Sequence, residues 1–175
     1  MALTIRTETS TDIQAIHQVT KAAFLNAEHA DHTEQYVVKA LREAGALTVS
    51  LVAEDDNQIL GHVAVSPVTI SDGAEKWYGL GPISVTPNQQ GKGIGSALMK
   101  AAINALKDLN ANGCVLLGEP AYYGRFGFKS IEGLILAEVP PEYFQALLLN
   151  GEYPQGEVSY HQGFYVQANQ VNDPS

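Results

Sequence analysis

The stretch Ser84-Val85-Thr86-Pro87-Asn88-Gln89-Gln90-Gly91-Lys92-Gly93-Ile94-Gly95-Ser96 constrains this chain more than any other. Upstream of it, Trp77 to Val85 reads as a strand broken near Gly79-Leu80-Gly81-Pro82. Downstream, Ile94, Leu98, Ala101, Ala102, Ala105, Leu106 and Leu109 recur at three- and four-residue intervals, which predicts an amphipathic helix over Ile94–Leu109. A strand must therefore pass into a long helix through a turn with glycine at alternate positions. Glycine lets backbone amides approach a ligand closely. The start of the helix adds unpaired N–H groups and about half a positive charge. Together these make an anion site suited to a pyrophosphate.

Two familiar phosphate loops are excluded by spacing. The nucleotide-hydrolase loop needs four residues between its glycines and then Gly-Lys-Ser/Thr, whereas Lys92 precedes Gly93 here. The dinucleotide fingerprint is G-x-G-x-x-G, and this turn is G-x-G-x-G.

The rest of the chain supplies a framework for that junction. Leu3–Arg6 reads as a short strand, followed by capping residues Thr9 to Asp12 and a helix over about 12–25. A second helix spans about Thr33 to Ala44, with Tyr36, Val37, Ala40 and Leu41 on its apolar face and Gly45 as its stop. Leu47–Ala53 and Ile59–Val65 are β-branched runs about a polar hairpin turn, and the second can extend through Ile70. Cys114–Gly118 is a short apolar strand, Pro120 opens a short helix that stops at Gly127, and Phe128–Ile131 resumes as a strand. Pro140-Pro141-Glu142 is expected to open a helical turn through Leu149, and Val158–Val166 to form a last strand. This order predicts an α/β architecture: a mixed sheet with helices on both faces, in one domain over 1–167 with a polar, frayed tail over 168–175.

Composition narrows the function classes. With 175 residues, 45% hydrophobic and 17% charged, the chain has the balance of a folded globular domain. A net charge of −9 and the lack of any basic run argue against a nucleic-acid partner. No apolar stretch approaches the length of a membrane span, and a cytoplasmic setting is expected. The lone Cys114 sits in the apolar run Cys114-Val115-Leu116-Leu117, which reads as a buried structural thiol rather than a nucleophile. Glu28-His29-Ala30-Asp31-His32 has ligand-like composition but no third cluster, so no metal site is expected.

Gln90, Gly93 and Gly95 match the [Q/R]-x-x-G-x-[G/A] signature of the GNAT superfamily of N-acyltransferases, and Tyr123-Gly124-Arg125-Phe126-Gly127-Phe128 matches its late Y-x-x-x-G-F. The two stand about thirty residues apart, and the element order from Ile5 to about Phe128 agrees as well. The chain thus resembles that family. The resemblance implies a mostly antiparallel sheet whose central strand pair splays apart, and acetyl-CoA as co-substrate. It gives the coenzyme's pyrophosphate to the amides of Gln90, Gly91, Lys92, Gly93, Ile94, Gly95 and Ser96. It gives the pantetheine arm and thioester carbonyl to Ile83, Ser84 and Val85, and the general-acid position to Tyr123. Pantetheine contact through an asparagine, frequent in the family, has no counterpart in Leu117-Gly118-Glu119-Pro120-Ala121. The chain beyond Gly133 resembles a subgroup of bacterial predicted acetyltransferases.

The reaction so implied is acyl transfer to a primary amine by direct attack in a ternary complex. A non-catalytic acyl-CoA-binding or regulatory module is the alternative. The acceptor is a small-molecule or peptide amine, and homodimerisation is left open. Glu34, Glu75 and Glu119, with His32 and Glu28 behind them, are unranked candidates for the base that deprotonates it.

Overall fold

The computed structural model describes residues 2–27 and 30–166. The strands are β1 (Thr4–Thr7), β2 (Val49–Asp55), β3 (Gln58–Ile70), β4 (Trp77–Val85), β5 (Gly113–Leu117), β6 (Leu134–Ile135), β7 (Phe144–Leu148) and β8 (Gly156–Tyr160). The helices are α1 (Ile13–Phe24), α2 (Glu34–Glu43), α3 (Ile94–Asp108) and the single turn α4 (Pro120–Tyr123). The main sheet runs β1-β2-β3-β4-β5-β7, with β8 on the far half of β3 and β6 on β8. Two contacts, β4–β5 and β6–β8, are parallel, and the others are antiparallel.

Strand alternation explains why both faces carry helices. Val49, Leu51 and Ala53 of β2, with Val63 and Val65 of β3, pack beneath Leu98, Met99, Ala102 and Leu106 of α3. The intervening Val52 and Ala64 turn to the opposite face and meet Ile16 of α1 and Val38 of α2. Burial on both faces is why these strands read as nearly unbroken apolar runs. The β2–β3 hairpin closes through Asp56 and Asn57, both at positive φ (51° and 62°), the geometry of a two-residue primed turn.

β4 parts from β5, and this opens the molecule for chemistry. Their pairing covers only Trp77–Gly79 against Gly113–Val115. Beyond it β4 follows β3 as far as Gly61↔Val85, with an irregularity between Val63 and Val65. β5 instead keeps β7 to Leu117↔Phe144.

Three expectations are corrected. Residues 144–149 do not continue a helical turn: a 3-10 turn covers only Pro141–Tyr143, and Phe144–Leu148 is a strand. An open edge of β5 accepts five residues there, burying Phe144, Gln145 and Ala146, and that pairing overrides local helix preference. The last strand ends at Tyr160 rather than Val166, because the Gly163 amide donates to His161 Nδ1 and starts a 3-10 turn over Gln162–Tyr165. Phe128–Ile131 forms no strand beyond a bridge between Lys129 and Ala146. The 168–175 tail lies outside the described residues.

One buried polar chain ties β1, α2, β2 and β3 together. Arg42 grips both oxygens of Glu8 at 2.9 and 2.8 Å, and Ser50 Oγ donates to the same carboxylate. With its proton committed to Glu8, Ser50 Oγ accepts from His62 Nε2 at 2.8 Å, which fixes the neutral tautomer of that ring. His62 is fully buried, and burial holds its pKa at about 4. Burial also pushes the Glu8 carboxyl up, but Arg42 and Ser50 hold it below its ordinary value.

Between pH 6.5 and 4 the unfolded chain therefore binds a proton at His62 that the folded chain refuses. Stability should fall by about 3 kcal/mol on acidification through that window. Urea unfolding at pH 7.5 and pH 4.5 reads this out, and His62→Gln should flatten the difference. An equal acid loss in the variant would contradict this account.

Candidate active site

The turn between β4 and α3 has the conformation its glycines allow. Gly91 and Gly93 sit at φ 78° and 88°, the left-handed region that a side chain would strain. Gly93 is the residue before the first helical turn of α3. The first amide returned to it is that of Ala97, bonded to the Gly93 carbonyl at 3.1 Å. Ile94, Gly95 and Ser96 thus present amides without helical partners. Gln90 Nε2 donates to the Val85 carbonyl at 3.0 Å, which ties the turn to the end of β4.

A groove of about 510 Å³ lies between this turn, the end of β4 and the α4 turn that follows β5. Ile83, Val85, Gln90, Gly91, Gly93, Ile94, Gly95, Ser96 and Tyr123 all line it, so the two sequence signatures meet at one place. Lys92 is not among the lining residues; its Nζ reaches Gln89 Oε1 at 3.3 Å. Ser84 is 2% exposed, and it pairs in register with His62 on the sheet face opposite α3. Unlike Ile83 and Val85, it is not among the lining residues.

Three lining residues escaped the reading of the sequence: Gln89, Tyr122 and Arg125. Arg125 lies over the rings of Tyr122 and Phe126, 5.2 and 5.5 Å from their centroids, and its Nη2 reaches Ser96 Oγ at 3.4 Å. The Y-x-x-x-G-F pattern leaves this position unspecified, and only the fold of Gly124–Phe126 as a 3-10 turn brings it to α3.

The adjacent tyrosines differ in place. A Cβ built on Gly95 would lie 3.1 Å from Tyr122 Oη, so that phenol stands over the first turn of α3. Tyr123 sits deeper, edge-on to Tyr122 and Phe128 and packed against the α3-side core. Burial, with a smaller push from Tyr122, raises its pKa above the ordinary phenol value. Tyr123 therefore stays protonated at neutral pH, ready to give a proton and unsuited to take one.

None of the candidate bases lines the groove. Glu75 precedes β4 and so lies at the end of that strand remote from Val85. Glu34 is the first residue of α2, and its Oε2 accepts from the Asp31 amide at 3.1 Å. His32 takes a positive φ of 61° in the connector before α2. Glu119 is exposed, and its carbonyl accepts the amides of Tyr122 and Tyr123 at the start of α4. Glu28 and His29 lie outside the described residues. Cys114 is buried with its thiol pushed up to about 12, which removes it as a nucleophile. Among the described residues, no group of three or more His, Cys, Asp or Glu side chains is placed to hold a metal ion.

Comparison with known proteins converges on one family. The model of the Acetyltransferase (GNAT) domain matches residues 4–131. An Escherichia coli K12 protein named uncharacterized N-acetyltransferase YhbS is 37% identical over 108 residues, covering 61% of this chain and 65% of its own length. Among solved structures, a GNAT family acetyltransferase from Brucella melitensis in complex with acetyl-CoA is 47% identical at a TM-score of 0.83, covering 93% of this chain and 97% of that one. Escherichia coli YhbS in complex with CoA is 32% identical at a TM-score of 0.84, covering 94% and 92%. With both signatures lining one groove and the sheet order in place, this chain belongs to the GNAT acetyltransferase family.

Proposed function

We propose that this chain is an N-acetyltransferase that moves an acetyl group from acetyl-CoA to a primary amine by direct attack. The observation that carries the reading is one groove lined both by the amides at the start of α3 and by Tyr123. The coenzymes found with the Brucella and E. coli relatives support the choice of donor.

In this reading the turn holds the pyrophosphate through the amides of residues 91–96 at the helix start, the Gln90 amide being bonded to the Pro87 carbonyl. Arg125 supplies a formal positive charge beside it. Ile83, Ser84 and Val85 are the stretch that would run along the pantetheine arm, because β4 has left β5 there; the Val85 carbonyl already accepts from Gln90 Nε2, and Ser84 is paired with His62 of β3. The amine nitrogen attacks the thioester carbonyl, the C–N bond forms, and the C–S bond breaks. Tyr123 gives its phenolic proton to the departing thiolate. In water this transfer is uphill by about 2 kcal/mol, from a phenol near 10 to a thiol near 8.5. A thiolate released into the same apolar cleft is destabilised as the phenolate is, and the gap narrows.

The acceptor must attack as the neutral amine, which for an alkylammonium is about one part in two thousand at pH 7. Glu119, next to α4, is the candidate base adjacent in sequence to the groove, and a water between it and the amine would serve. The buried thiol of Cys114 supports a one-step transfer without an acyl-enzyme. An unpaired cysteine also fits a reducing setting, and the cytoplasm is the compartment this reading adopts. Among the described residues, no helix is long and apolar enough to cross a membrane.

Calorimetry with acetyl-CoA, then coenzyme release with polyamines, aminoglycosides, amino acids and peptide N-termini, tests the reading. Binding followed by transfer to at least one amine is expected, and binding without transfer to any would favour the non-catalytic module. Tyr123→Phe should lower kcat about 100-fold and leave acetyl-CoA affinity within about twofold. Undiminished turnover would remove Tyr123 from the chemistry. Gly93→Ala should weaken acetyl-CoA binding about tenfold while sparing acetyl-pantetheine, which lacks the pyrophosphate. Equal losses for both ligands would contradict the assignment of the turn.

A further inference from the structure

The ring of Tyr123 is packed edge-on against Tyr122 and Phe128, and that packing aims its hydroxyl. Its ring lies against the backbone of Gly118, the residue that follows β5. A Cβ placed on Gly118 would fall 2.1 Å from Tyr123 Cε2 and 2.6 Å from Cδ2, far inside the 3.4 Å at which ordinary contact begins. The backbone there is not left-handed, so alanine could adopt it without strain. What Gly118 supplies is the empty space that the ring fills.

The same residue is held from its other side. Its amide donates to the Tyr143 carbonyl at 3.0 Å, and its carbonyl accepts from Gln145 Nε2 at 3.0 Å. Gln145 is 2% exposed on β7, a buried amide whose Nε2 is satisfied by that carbonyl. Burying such a group unpaired costs about 1–3 kcal/mol, so this bond pins the end of β5. The floor beneath the phenol is thus fixed by a strand that joins the sheet late in the chain.

We propose that Gly118 and Gln145 are positioning residues for Tyr123, with Gly118 providing the space in which the ring lies and Gln145 holding that backbone still. This rests on the reading of Tyr123 as the general acid. The expected consequence of a side chain at 118 is a displaced ring in a folded protein. Displacement of a reacting group by about 1 Å can cost a hundredfold in rate.

The test uses the full chain and reads both position and chemistry. In protein labelled with 13Cζ-tyrosine, the Tyr123 resonance is assigned by its disappearance in Tyr123→Phe. Gly118→Ala should move that resonance, because the ring leaves the edge-on neighbours Tyr122 and Phe128 that shield it. Acetyl-CoA affinity by calorimetry should stay within about twofold of the unsubstituted chain. Turnover of acetyl-CoA with the best amine of the panel should fall about ten- to a hundredfold. In the Tyr123→Phe background, Gly118→Ala should cost no further activity, since there is no proton left to aim. Gln145→Met should give a smaller loss with the same non-additivity, and it remains available should Gly118→Ala fold poorly. An unmoved Tyr123 resonance, or full additivity of the two losses, overturns the proposal. If Tyr123→Phe by itself changes nothing, the general-acid reading fails instead, and the resonance shift still decides whether Gly118 positions the ring.

Discussion

Three parallel residue pairs, Trp77–Gly79 against Gly113–Val115, hold the two halves of the sheet together, and everything functional follows from their being so few. Were β4 and β5 paired to their ends, the backbone of Ile83–Val85 would be saturated and no groove would exist. β4 is instead carried off by its long antiparallel register with β3, while β5 is retained by β7. The first branch ends in the α3 amides and the second in Gly118 and α4. Divergence of two strands therefore sets the distance between the start of α3 and Tyr123, the anion site and proton donor of the proposed function.

The two ends of the groove work by different electrostatics. At the outer end the chain, with a net charge of −9, must accept a polyanion. In the proposed reading it does so with backbone dipoles, which carry no counter-charge to be desolvated, and with Arg125, which lies over two aromatic rings. At the inner end charge is excluded. Tyr123 has a raised pKa because burial disfavours its anion. A cleft of that kind keeps a phenol neutral until a thiolate appears in it.

Much of this was legible in the sequence where chemistry is local. The alternate glycines at 91, 93 and 95, the periodic α3 and the Tyr123–Phe128 pattern each carry their geometry in a few neighbouring residues, and the three glycines, Ile94 and Tyr123 line one groove. What was misread depends on distant partners. Phe144–Leu148 has no local reason to extend and becomes a strand because β5 offers an edge to it. Arg125 reaches the groove through a 3-10 turn that its sequence does not announce, and Gly118 looks like any glycine at the end of a strand until the ring of Tyr123 is seen lying on it. Glu75 is a candidate base by residue type alone, and it precedes β4 at the end away from Val85.

The central claim is that one groove holds the coenzyme at α3 and presents its sulfur to Tyr123. A crystal structure of the chain with bound acetyl-CoA tests it most directly. The account predicts pyrophosphate oxygens on the amides of residues 91–96 and the thioester sulfur within hydrogen-bonding reach of Tyr123 Oη. A sulfur facing Tyr122 instead, or a pyrophosphate held away from the turn, would contradict it.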